Sequence, residues 1–268
     1  MEILKSIVLG IIQGFTEPLP ISSSGHIMLY KNLFNTNLFN DSLTFEIVSN
    51  FGSFLAILFI FRHEIISLLR GFFTYVFIKE RRKEVKKVFD YVIKIIISTI
   101  PVGITGFLFK DVIEEKMGSI TILGFAFLLT SIMIFLVRNI KGKKDNYDLT
   151  YKDAIIIGLF QAVTILPGIS RSGTVLVACL LCNLKREAAL KYTFLLYFPI
   201  SVGTMILGVN DLSGMSSSML MPYFLGLLAA LIVTYFSYRW LSNIVKKGKL
   251  IGFSIYCLFL SLFIFIYF

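Results

Sequence analysis

Two short stretches hold the residues of this chain that could do chemistry. The first reads Gln13-Gly-Phe-Thr-Glu17-Pro-Leu-Pro-Ile-Ser22-Ser23-Ser24-Gly25-His26, and the second Pro167-Gly168-Ile-Ser170-Arg171-Ser172-Gly173-Thr174. Together they offer a carboxylate, an imidazole, several hydroxyls and a guanidinium. Hydroxyl nucleophiles, a group for metal or proton work and a phosphate clamp are the parts of metal-assisted phosphoryl transfer. Gln13 and Glu17 are four apart and project from one helix face. Pro18 and Pro20 end that helix, and Ser22, Ser23 and Ser24 can cap the next one, whose free N–H groups around Gly25 suit an anion. Ser170, Ser172, Gly173 and Thr174 repeat that cap, and Arg171 adds a planar fork matched to phosphate oxygens. Glu17 lacks a second carboxylate beside it. A divalent cation, Mg2+ or Ca2+, would therefore be held by Glu17, by Gln13 and by the substrate's own phosphates.

Each residue also has a plain reading. Glu17 could be solvated at an interface, His26 could be a hydrogen-bonded structural group, and the serines could only cap helices. Arg171 could snorkel to the interface, but the broken backbone around it argues otherwise. Glu46 and Asn50, on one face at the start of an apolar run, read either as groups supporting the site from behind or as interfacial, the second being favoured. Cys179-x-x-Cys182 sits in Val-Ala-Cys-Leu-Leu-Cys and reads as ordinary helix packing, not a redox pair. An ionisable residue at membrane depth is functional by default, and three of them in two matching breaks form a constellation.

The elements that position these breaks follow from composition. Of 268 residues 56% are apolar and only 16% charged, with 27 Phe and a mean hydropathy of +0.82. Average soluble domains are about 45–50% apolar and about 25% charged. This excludes a soluble enzyme, a disordered chain and a disulfide-stapled domain, and leaves an all-α polytopic membrane protein. A spanning helix needs about 20 mostly apolar residues, and six stretches qualify: 44–62, 91–109, 118–138, 189–209, 221–242 and 250–268. Residues 3–34 and 153–183 are long enough but broken by Pro, Gly and Ser, which suits re-entrant helical hairpins. Non-helical backbone at that depth is tolerated only inside protein or beside a wet cavity.

Segments 63–90, 139–153, 184–191 and 243–249 carry 17 Lys and Arg, whereas 31–43, 110–117 and 210–220 carry three (Lys31, Lys110, Lys116). This asymmetry marks the cytoplasmic side. It places both termini outside the cell, with the first hairpin opening outward and the second inward. The +10 net charge is thus a matter of topology and not of nucleic acid. Segment 63–90 has an apolar stripe before its basic run and is expected along the inner membrane surface. Shifting the chain by 148 aligns positions 10–26 with 158–174, with seven identities in 17 positions. Each copy is one hairpin and three spans, an odd number of crossings, so the second copy must be inverted. The repeats cover 1–138 and 153–268 of a single membrane domain, and inverted repeats of this kind place their site at the repeat interface.

The stretches Gln13–Glu17, Ser22–His26 and Pro167–Gly173 resemble the signature motifs of the undecaprenyl pyrophosphate phosphatase family of the bacitracin-resistance type. The similarity runs over nearly the whole chain. It implies a multi-pass enzyme of the bacterial plasma membrane that removes the terminal phosphate of the C55 isoprenoid pyrophosphate and returns the monophosphate carrier to peptidoglycan synthesis. A polyprenyl pyrophosphate lipid and the bilayer are the implied partners, no nucleic acid is, and a homodimer is compatible. The family's (Glu/Gln)-x-x-x-Glu motif falls on Gln13 and Glu17, where many members have two carboxylates, and Ser24 stands where many have Thr. On this reading Glu17 binds the metal or acts as base, Ser23 is the nucleophile, His26 is base or alternative nucleophile, and Arg171 stabilises charge on the phosphates. The competing reading is a transporter or flippase of a phosphorylated polyprenyl lipid. A passive channel lacks a readable polar ring, and an anion-binding scaffold leaves Glu17 beside His26 unexplained.

Overall fold

The computed structural model describes residues 2–34, 42–116, 119–208 and 217–268. Among these the backbone is helical throughout, apart from short 3-10 turns, loops and one isolated bridge between Lys144 and Leu184. The helices are α1 (Glu2–Thr16), α2 (Ser23–Leu33), α3 (Ser42–Phe77), α4 (Arg82–Lys116), α5 (Ile120–Val137), α6 (Tyr151–Ala162), α7 (Arg171–Leu181), α8 (Arg186–Leu207), α9 (Leu220–Lys247) and α10 (Ile251–Tyr267). Five of them, α3, α4, α5, α8 and α9, are long and apolar enough to cross a membrane. The sixth expected span forms α10, which has 17 residues, about 26 Å at 1.5 Å per residue.

Both chemically marked stretches fold as two short helices around a break. Pro18 and Pro20, each without an N–H and with fixed φ, stop α1 just after Thr16, and α2 starts on a serine cap. In the second stretch a 3-10 turn at Val163–Ile165 and the left-handed Gly168 (φ 87°) separate α6 from α7. Helix α7 lies at the centre of the protein, with every side chain from Val175 to Leu180 buried. Around it α1 packs on α9, α9 on α3, α5 on α10 and α4 on α6. The α1–α9 crossing is set by glycine: a Cβ on Gly10 would sit 2.2 Å from the Gly226 carbonyl oxygen. The outward faces stay apolar, with Phe107 80%, Leu136 69% and Ile266 85% exposed. A water-soluble globule would place charges there; a bilayer accepts them as they are.

The four basic segments meet at one end of the bundle. Lys191 pairs with Glu64 at 2.7 Å, Lys185 with Asp145 at 2.7 Å, and Lys246 with Glu187 at 3.5 Å. Of the weakly charged segments, most of 31–43 and of 210–220 falls outside the described residues, and 110–116 forms the end of α4. Segment 63–90 differs from expectation. Residues 63–77 continue α3 without a kink, since nothing in them breaks a helix, and α4 returns beside them. Gly71 allows the approach, as a Cβ there would meet Val88 Cγ1 at 2.4 Å, and the Tyr75 and Phe89 rings stack at 3.9 Å. The basic run is therefore the tip of a helical hairpin rather than a separate surface helix.

Candidate active site

The two breaks come together on Glu17. Its backbone N–H donates to the Gln13 carbonyl at 2.8 Å, so the carboxylate is held on the last turn of α1, directly after Thr16. Ser23 Oγ donates to Glu17 Oε2 at 2.5 Å, and Gln13 Nε2 donates to the same oxygen at 2.9 Å. Arg171 Nη2 donates to the other oxygen, Oε1. The Glu17 side chain is 5% exposed and that of Arg171 23%. A buried carboxylate is tolerable only when paired and hydrogen-bonded, and here each oxygen is satisfied from a different half of the chain.

The local backbone explains how Ser23 reaches Glu17. Ser22 sits at φ 68°, a left-handed conformation that costs a non-glycine residue about 1–2 kcal/mol. It is offset by two hydrogen bonds: Ser22 Oγ accepts from the Gly25 N–H at 3.1 Å, and the Ser22 carbonyl accepts from His26 Nδ1 at 2.6 Å. The second break builds the same cap, with Ser170 Oγ accepting from the Gly173 N–H at 3.1 Å. Ser172 Oγ then donates to the Leu19 carbonyl at 2.8 Å and ties one break to the other.

These groups line one end of a cavity of about 350 Å³. Glu17, Ser22, Ser23, Ser24, Ser170, Arg171 and Ser172 all contribute to its wall. The far side is apolar and roomy, where α4 and α8 present Gly103 and Gly203, each with open space where a Cβ would stand. Gln13 acts from behind, through Glu17. Gly25 and Gly173 are buried against Phe127 and Pro20, and the buried Thr174 Oγ1 has no hydrogen-bond partner. His26 stands apart from the cavity wall. Its Nδ1 must be the protonated nitrogen, because it faces the Ser22 carbonyl, and its Nε2 accepts from Tyr256 OH at 2.8 Å on α10. Its ring stacks on Tyr256 with centroids 5.6 Å apart.

Two residues of the site lie outside both motifs. Asn50 on α3 lines the cavity, contrary to its interfacial reading, and accepts from Tyr197 OH of α8 at 2.8 Å. The Tyr197 ring lies under the Arg171 guanidinium, 4.7 Å from its carbon, in a cation–π contact. Glu46 is not among the residues lining the cavity and pairs with Lys31 at 2.5 Å. A serine hydroxyl hydrogen-bonded to a carboxylate can lose its proton to it while attacking. A guanidinium beside them, with hydroxyls and a capped helix N-terminus, can hold phosphate oxygens as charge develops. Among the described residues no three His, Cys, Asp or Glu side chains cluster as a metal site.

The chain is similar to known proteins over nearly its whole length. The family described as "Bacitracin resistance protein BacA" matches residues 6–263. A protein named undecaprenyl-diphosphatase 2 from Bacillus thuringiensis is 41% identical over 258 residues, covering 96% of this chain and 94% of that protein. An undecaprenyl-diphosphatase from Oceanobacillus iheyensis is 40% identical over 269 residues, covering 99% and 96%. Undecaprenyl-diphosphatase 1 of Bacillus licheniformis is 39% identical over 270 residues, covering 100% and 98%.

Proposed function

The chain belongs to the BacA family, and on that premise we propose that it is a membrane undecaprenyl-diphosphatase. It hydrolyses the C55 isoprenoid pyrophosphate to the monophosphate and inorganic phosphate, recycling the carrier for peptidoglycan synthesis and conferring resistance to bacitracin. The observation that carries this reading is the shared carboxylate: Ser23 on one oxygen of Glu17 and Arg171 on the other, at the polar end of an apolar-walled cavity.

The distal phosphate sits against Arg171 and the serine hydroxyls, with the prenyl chain leaving past Gly103 and Gly203 into lipid. Glu17 takes the proton from Ser23 Oγ as that oxygen attacks the distal phosphorus. The bond from that phosphorus to the bridging oxygen breaks, and the lipid monophosphate leaves with the proton that Glu17 had taken, so that Glu17 is a carboxylate again. A water then attacks the phosphoserine, giving its proton to Glu17, and the proton returns to Ser23 Oγ as inorganic phosphate departs. Arg171 holds the phosphoryl oxygens throughout, and its contact with Tyr197 keeps it in place when Glu17 is momentarily neutral. His26 orients the Ser22 turn, and with it the direction of Ser23, instead of touching substrate. The donor set suits a divalent cation shared with the substrate, because Mg2+ is commonly held by one carboxylate plus phosphates. In the alternative role, as ligand rather than base, Glu17 with Gln13 behind it would hold Mg2+ or Ca2+, which when bound would neutralise pyrophosphate charge.

The topology we assign has six spans, with α1–α2 and α6–α7 as re-entrant hairpins of an inverted repeat and both termini outside. The ion-paired basic end supports this by marking the cytoplasmic face. The site then faces the extracytoplasmic leaflet through the outward-opening first hairpin. Purified protein given C55 pyrophosphate should release phosphate in a divalent-dependent manner. Undiminished release by Ser23→Ala, Glu17→Ala and Arg171→Ala proteins would overturn the assignment. Movement of lipid across proteoliposomes without phosphate release would favour transport instead.

A further inference from the structure

We propose that Asn50 is a substrate-binding residue, donating from its amide nitrogen to the pyrophosphate, and that Tyr197 is the positioning residue that orients it and seats Arg171. The inference rests on the phosphatase reading above and deepens its site. Tyr197 is 6% exposed and wedged between the rings of Phe54 and Phe198. A phenol proton in such a place needs an acceptor, and it is donated to Asn50 Oδ1 at 2.8 Å. In this arrangement the amide turns its oxygen to the phenol. With the oxygen taken, both Nδ2 protons are left over, and among the described residues the nitrogen has no protein partner. Asn50 lines the same cavity as Ser23 and Arg171, so those protons face the space the phosphates enter.

The same phenol ring supports the guanidinium at 4.7 Å. One side chain therefore registers two anion-binding groups against each other: the Arg171 fork on its face and the Asn50 amide at its hydroxyl. Neither α3 nor α8 belongs to the motif-bearing breaks, yet together they supply a neutral donor and the platform for a charged one. A neutral amide donates to phosphate without demanding a counter-charge of its own, which suits a cavity whose ionic groups already balance as one pair.

Two measurements decide this. Asn50→Leu, of similar volume and without a donor, should raise KM for the C55 pyrophosphate about 10- to 100-fold, the loss expected for a hydrogen bond to a charged group, with kcat changed less. Binding of inorganic pyrophosphate, followed calorimetrically, should weaken by a similar factor. Tyr197→Phe keeps the ring but frees the amide, and should raise KM with kcat retained. Tyr197→Leu removes the platform and should lower kcat as well. Unchanged KM and unchanged pyrophosphate binding in a folded Asn50→Leu protein would overturn the proposal, as would identical behaviour of the two Tyr197 variants. Should Asn50→Leu fail to fold, Asn50→Asp keeps the acceptor for Tyr197 and must still lose pyrophosphate affinity. If the wild-type protein releases no phosphate, the phosphatase reading fails, but the calorimetric comparison still decides the role of Asn50.

Discussion

Replacing Arg171 by leucine would strand a carboxylate. The Glu17 side chain is only 5% exposed, so water cannot restore what the guanidinium supplies. Removing one partner of a buried ion pair costs about 3–5 kcal/mol. The lower end applies here, because Ser23 and Gln13 still donate to Glu17. At about 2–4 °C per kcal/mol for chains of roughly this size, 3 kcal/mol lowers Tm by about 6–12 °C. Glu17→Gln alone should be milder, since Arg171 keeps its contact with Tyr197 and is 23% exposed. The double variant Glu17→Gln/Arg171→Leu carries no unpaired charge and should recover at least half of the Arg171→Leu loss. Phosphate release should be lost in all three proteins, because stability can be restored by removing both charges and chemistry cannot. Thermal unfolding of the four detergent-solubilised proteins, read as a double-mutant cycle, measures the coupling. Strictly additive Tm shifts would mean that Glu17 does not depend on Arg171, contrary to this expectation.

Ser23→Ala should lower kcat by roughly 10³-fold or more, with Tm falling less than in Arg171→Leu because Glu17 loses one donor and keeps its ion pair, whereas Ser24→Ala, exposed at the cavity rim, should cost less than about tenfold; a phosphate-release assay separates them. Gln13→Glu places a second carboxylate where an amide now sits 2.9 Å from Glu17 Oε2, and two like charges in contact favour a bridging cation. Titration with Mg2+ after chelation should show half-activation at least about tenfold lower than in the wild type. Gly103→Leu fills open space in the apolar wall and should raise KM for the C55 substrate while leaving inorganic pyrophosphate binding unchanged. Gly10→Leu drives a side chain into the Gly226 carbonyl and should cost about 1–3 kcal/mol or more, seen as a lower Tm and a poor yield of folded protein.

The chemical heart of the site was legible because its residues violate their surroundings. Glu17 and Arg171 are charges in apolar stretches, and prolines and serines around them announce helix ends. Asn50 and Tyr197 carried no such mark. A tyrosine in an apolar helix reads as packing, and one asparagine near the start of a span reads as interfacial. Only the crossing of α3 and α8 reveals that they meet. His26 was visible as an ionisable group, but its role depended on Tyr256, which is 230 residues away in sequence. The extension of α3 to Phe77 was hidden for another reason: a bilayer-length rule ends a helix where charges begin, whereas the backbone needs a breaker, and none occurs before Ile78.

Shifted by 148, Ser23 falls on Arg171 and Glu17 falls on Ile165. The two matching positions thus grip opposite oxygens of a carboxylate that only one copy possesses. In a symmetric pair of identical half-length chains, both positions would hold the same residue: two serines without a cation, or two arginines without a nucleophile. A self-complementary interface can place such residues face to face but cannot make them differ. With both positions on one chain the two residues can differ, so one break brings the hydroxyl, the other the guanidinium, and the site has a direction.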